Sequence, residues 1–113
     1  MRAYQKTHVL VIFSKPIILD EDFTDDISSS LGRGTGHVVS LEFLLKGDGV
    51  LSIIAGTEIQ KNWARISKEG SHIYALKEDM DDRSIEVEVP TFRVINHNQL
   101  LELFDSNDVI IHY

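Results

Sequence analysis

The pattern of apolar and polar positions is organised around the stretch from His37 to Thr57, HVVSLEFLLKGDGVLSIIAGT. Val39, Leu41, Phe43 and Leu45 share one parity, with Ser40, Glu42 and Lys46 between them, and this period of two predicts a half-buried strand. Leu51, Ile53 and Ala55 continue the parity. A three-residue loop, Gly47-Asp48-Gly49, would pair Leu45 with Leu51, Phe43 with Ile53 and Leu41 with Ala55. A two-residue turn would put the two apolar rows on opposite faces, so the pattern predicts a β-hairpin with Gly49 in the left-handed conformation.

The same reasoning extends along the chain. Residues 7–14, THVLVIFS, are apolar on both parities, which predicts a central strand covered on both faces and ended by Pro16. Leu19, Phe23, Ile27 and Leu31 recur every four residues and predict a helix over 20–31. Asp20, Glu21 and Asp22 suit its first turn, and Gly32 can close it. Residues 63–76, WARISKEGSHIYAL, predict a second hairpin about Glu69-Gly70, with Ile66 opposite Ile73 and Ala64 opposite Ala75. EDMDDR, residues 78–83, reads as an acidic loop. Beyond it the apolar parity switches between Val89 and Phe92, which predicts a long strand with a bulge at Pro90. Asn96 and Gln99 have capping-box spacing and open a short helix over 97–106, with Leu100, Leu101 and Phe104 as its apolar side. Asn107 can cap its end, and VIIHY closes the chain as a final strand. The predicted fold is α+β: an antiparallel β-meander of about five to seven strands packed on helix 20–31, with the C-terminal helix and final strand added.

Length and composition narrow this picture. The 113 residues predict a single domain, 1–113. There is no cysteine, which excludes a disulfide, a thiolate metal ligand and a cysteine nucleophile within these residues. No apolar run reaches the roughly 18 residues of a membrane span. The N-terminal run lacks a small-residue cleavage site and is cut by Lys15-Pro16, so the expectation is a cytoplasmic protein without a signal peptide. The net charge of −7, from 18 acidic and 11 basic residues, disfavours general nucleic-acid binding and suits either a basic protein partner or simple solubility.

Candidate chemistry is sparse. In Gly32–His37, GRGTGH, glycines free backbone N–H groups for an anion, and Arg33, Thr35 and His37 add charge and hydrogen bonds. The loop follows a predicted helix and precedes a strand, the reverse of a phosphate loop. The five histidines lack metal-ligand spacing, so neither metal nor cofactor is expected. His8 and His37 both begin predicted strands and would meet at one sheet end, with Asp20 or Glu58 as acid partner. Glu78, Asp79, Asp81 and Asp82, together with Trp63, form the predicted partner-binding surface. No serine sits in a nucleophile elbow.

GTEIQKN, residues 56–62, with the late LLELF helix, resembles part of the small viral ring nucleases that cleave cyclic oligoadenylate. In that family a Gly-His pair opens a helix. Here Gly36-His37 precedes a predicted strand, and Asn62-Trp63 stands where the family has Asn-Arg. The functional expectation is therefore a small acidic non-enzymatic interaction protein, an inhibitor or immunity-type module, with homodimerisation through an exposed Trp63–Leu76 face as a further route. The alternative is a nucleotide- or phosphate-ligand-binding domain, a small phosphodiesterase in its enzymatic form, using loop 32–37.

Overall fold

The computed structural model describes residues 7–15, 38–54, 57–68, 70–86 and 89–112. Its centre is one five-stranded sheet of strands β1 (Thr7–Phe13), β2 (Val38–Leu45), β3 (Ile73–Leu76), β4 (Phe92–Ile95) and β5 (Val109–His112). The order is β4-β3-β2-β1-β5, and every neighbouring pair is parallel. The antiparallel meander is thereby overturned. Parallel neighbours cannot be joined by a tight turn and need a crossover. Among the described residues a 3-10 helix (Gly47–Ile54) and helix α1 (Thr57–Lys68) lie between β2 and β3, α2 (Lys77–Asp82) lies between β3 and β4, and α3 (His97–Asp105) lies between β4 and β5, the two edge strands.

Both predicted hairpins dissolve for identifiable reasons. After β2 the chain winds into the 3-10 helix, which buries Val50 and Ile53, three residues apart, and leaves Ile54 exposed. The shared parity of Leu51 and Ile53 is a coincidence of that spacing. Gly49 is needed for close approach: a Cβ there would lie 2.1 Å from the carbonyl oxygen of Phe13. The left-handed position belongs instead to Gly47, at φ 53°. Residues 63–68 belong to α1, whose Trp63 and Ile66 point inward from one helical face. Gly70, at φ 100°, ends this helix. Its N–H donates to the Ser67 carbonyl at 3.1 Å while Ser71 N–H donates to that of Ile66 at 3.4 Å, a glycine C-cap where the sequence predicts a hairpin turn.

The remaining corrections are smaller. The acidic segment expected as a loop is α2, with Met80 buried. The long bulged strand is replaced by β4 alone, entered from a turn at Pro90–Thr91, and Ile85 packs into the core from outside the sheet. The C-terminal helix carries the predicted capping box, Asn96 with Gln99. Its inward residues are Leu100 and Leu103, with Phe104 packed against the same cluster as expected, while Leu101 is 61% exposed. The predicted helix 20–31 and loop 32–37 lie outside the described residues.

The sheet is covered on both faces, which makes the fold α/β. One face carries Val9, Val11, Phe13, Phe43, Leu45, Ile73, Ala75 and Phe92 against α1 and the 3-10 helix. Trp63 stands edge-on to Phe13, Phe43 and Phe92, with centroids 5.7, 5.6 and 6.2 Å away. The other face carries Leu10, Ile12, Leu44, Leu76 and Ile95 against Leu100 and Leu103 of α3. β1 lies between β2 and β5 with Val9–Phe13 fully buried, as its two-parity pattern predicts. Among the described residues no helix is long and apolar enough to cross a membrane.

Candidate functional site

A polar cluster interrupts the α3-covered face near the amino ends of the strands. The parallel register sets its members side by side: His8 opposite Ser40, Leu10 opposite Glu42, and Leu44, Tyr74 and Arg93 in one row across β2, β3 and β4. Glu42 is its centre, with its side chain 17% exposed. Its Oε2 accepts a hydrogen bond from the Tyr74 hydroxyl at 2.8 Å, and its Oε1 accepts one from Asn107 Nδ2 at 3.3 Å. Asn107 is held in turn by the Leu103 carbonyl at 2.8 Å, and its buried Oδ1 has no partner among the described residues. The carboxylate is thus gripped from two sides.

His72 completes the group. Its Nδ1 lies 3.4 Å from Glu42 Oε2 and 3.4 Å from the Tyr74 hydroxyl oxygen, and its ring stands edge-on to Tyr74 at 88°. The His72 carbonyl accepts from Phe43 N–H at 3.0 Å, which pins the residue to β2 just before β3 begins. Its side chain is 47% exposed, so the ring is half open to solvent while its Nδ1 faces the cluster. On the β1 side of β2, His8 Nδ1 and Ser40 Oγ hydrogen-bond at 2.7 Å. Asp108 Oδ2 accepts from His8 N–H at 2.9 Å, and Asp108 N–H donates to the His8 carbonyl at 2.8 Å, fixing the start of β5 on β1.

Burial, then the hydrogen bond and charge of Glu42, push the Tyr74 phenol up from 10.0 to about 12, against the opposing pull of Arg93 on β4. Tyr74 is therefore a neutral donor across the physiological range. It also walls an open cleft of about 330 Å³ between the sheet and α3, lined with Ile95, Gln99, Glu102, Leu103 and Ser106. A carboxylate-backed, half-exposed imidazole is an arrangement suited to moving a proton.

The residues expected from sequence fall elsewhere. Arg33, Thr35 and His37 lie outside the described residues, as do Asp20 and the side chain of Glu58. Glu78 Oε2 accepts from His97 N–H at 3.2 Å at the start of α3, and Asp79 Oδ2 accepts from Gly47 N–H at 2.6 Å. Both tie elements together at the carboxyl ends of the strands. Asp81 pairs with Lys77 at 2.9 Å, and Asp82 is exposed. Trp63 is 0% exposed, inside the core of the opposite face, and shares no surface with these acids. Among the described residues no group of three or more histidines, aspartates or glutamates is arranged for a metal ion.

Sequence reasoning missed Glu42, His72 and Tyr74 as a unit. The available signal was a carboxylate between Leu41 and Phe43 in a strand whose one other polar residue is Ser40. What brings it to His72 and Tyr74 is the register between β2 and β3, which local pattern does not reveal.

Residues 36–109, about two-thirds of the chain, match the family described as DsrH like protein, and the chain belongs to that family. The crystal structure of the ychN protein from E. coli is similar in fold, with a TM-score of 0.68 at 16% identity, over 96% of this chain and 100% of that one. No curated protein matches the chain. The segment that resembles the ring nucleases, where described, is the first half of α1.

Proposed function

We propose that this member of the DsrH-like family is a sulfur-relay-type subunit that acts on a cysteine-bearing partner without carrying sulfur itself. Family membership over residues 36–109 is the observation that carries the reading. It supports neither the inhibitor or immunity-type role nor the phosphate-ligand alternative expected from composition. The chemistry of the chain then shapes the role. A relay hands a sulfane sulfur from a cysteine persulfide to the next thiolate. These 113 residues hold no cysteine, so the thiols belong to a partner and this chain supplies surface and positioned polar groups.

The experiment is capture of the tagged full chain from its native cell, followed by persulfide-specific labelling of what comes with it. A stoichiometric partner with a persulfide-reactive cysteine is expected, and loss of this chain should lower sulfur transfer through that cysteine. A chain whose partners lack such a cysteine, or whose removal leaves transfer unchanged, overturns the reading.

A further inference from the structure

We propose that His72 is a general base for a partner's thiol, with Glu42 and Tyr74 as the residues that position it. The inference rests on the sulfur-relay reading and deepens it.

The hydrogen-bond inventory fixes the state of the ring. Tyr74 has a single hydroxyl proton and commits it to Glu42 at 2.8 Å. Toward His72 its oxygen can then act only as an acceptor, and Glu42 Oε2 is an acceptor as well. Nδ1 of His72 faces these two acceptors at 3.4 Å each, so Nδ1 carries the ring proton and Nε2 keeps its lone pair. This is how a carboxylate orients a catalytic histidine. Most of the cost of ordering is met within the fold. Asn107 and Tyr74 hold Glu42, the Leu103 carbonyl holds Asn107, and Phe43 N–H holds the His72 backbone. The charged and titratable groups that the described residues bring to His72 are Glu42 from β2 and Tyr74 from β3, with Arg93 of β4 acting on the Tyr74 hydroxyl through its charge and a side-chain hydrogen bond. A histidine placed only for stability has no need of a half-exposed ring backed by such an arrangement.

The step balances without any further reagent. The partner's thiol gives its proton to His72 Nε2 and becomes a thiolate. The thiolate forms a bond to the outer sulfur of a cysteine persulfide on the donor protein. The donor's S–S bond breaks, its electron pair goes to the donor's own sulfur, and that sulfur recovers the proton from Nε2. One sulfane sulfur has moved between cysteines, with no net oxidation.

Two measurements test this. On the chain alone, long-range ¹H–¹⁵N correlation spectra should show neutral His72 protonated on Nδ1, with Glu42→Gln shifting it toward the other tautomer. A neutral ring protonated on Nε2 overturns the proposal, since no lone pair would remain for a thiol. In the complex with its cysteine-bearing partner, the partner cysteine is alkylated with iodoacetamide from mildly acidic to mildly alkaline pH. His72→Gln should slow alkylation at neutral pH by about tenfold or more and move the profile to higher pH, while complex formation is retained. Added imidazole should restore part of the rate to His72→Ala. An intact complex with an unchanged profile overturns the role of His72 and leaves the relay reading standing. Failure to form any complex with a cysteine-bearing protein overturns both.

Discussion

Tyr74 shows how a single side chain reports on this site. Its folded pKa of about 12 stands above the ordinary 10.0, so its contribution to stability is fully present below about pH 10 and is lost as pH rises through about 12. Within that window the unfolded chain releases the phenolic proton first, which draws the equilibrium toward unfolding. The ultraviolet titration difference between the wild type and Tyr74→Phe should therefore show a phenolate transition near 12. In a Glu42→Gln background the transition should move down, because the hydrogen bond to a charged acceptor and its field are two of the causes that raise it. A transition near 10 in the wild type would remove Glu42 as Tyr74's partner. Gly49 reports on the opposite end of the sheet. Any Cβ there collides with the Phe13 carbonyl, which is backbone and cannot rotate away. Gly49→Ala should cost about 3 kcal/mol by urea denaturation, at the upper end of the overpacking range. Loss of less than about 1 kcal/mol would mean that the 3-10 turn can lift off β1 freely.

At the scale of elements, the prediction concerns α3, because it roofs one core and supplies the approach to Asn107. Its first turn is closed by the reciprocal Asn96–Gln99 pair, with both bonds at 2.9 Å. Asn96→Ala should destabilise the protein by about 1 kcal/mol, whereas Asn96→Ser should cost only a few tenths. Equal losses would show that packing of Leu100 and Leu103, and not the cap, sets the start of the helix. This helix was legible because its signal is local: a cap three residues from its partner and leucines at helical spacing. β1 was legible for the same reason, since apolar residues on both parities mean burial on both faces wherever the strand pairs. The hairpins were not. Gly47-Asp48-Gly49 and Glu69-Gly70 carry turn chemistry that a β-turn, a 3-10 entry and a helix C-cap all use. Only long-range packing, Trp63 among three phenylalanines and Gly49 on Phe13, decides among them. The clue passed over was β1 itself, whose double burial is the mark of a parallel sheet.

At the scale of the molecule, the sheet separates two cores that share no side chain, yet β1, β2, β3 and β4 each contribute to both. Alternate residues of β2 illustrate this: Phe43 and Leu45 face α1, while Leu44 between them faces α3. Damage to one core therefore reaches the other through the backbone of the same strand. This gives a test in which the probe and the lesion lie on opposite faces. Trp63, the single tryptophan, reports from the α1 side. Leu103, buried at 8% exposure, is on the inward side of α3 at the other face. Leu103→Ala should cost about 2–4 kcal/mol, a large share of the 5–15 kcal/mol typical of a domain. The urea transitions followed by Trp63 fluorescence and by far-ultraviolet circular dichroism should move together and remain coincident. If the fluorescence transition stays put while the dichroism moves, the α3 layer unfolds by itself. The polar cluster would then stand on a detachable roof, since Asn107 hangs from the Leu103 carbonyl and grips Glu42. Coincident transitions would instead make His72, Glu42 and Tyr74 a site as rigid as the sheet that carries them, the condition a positioned proton acceptor requires.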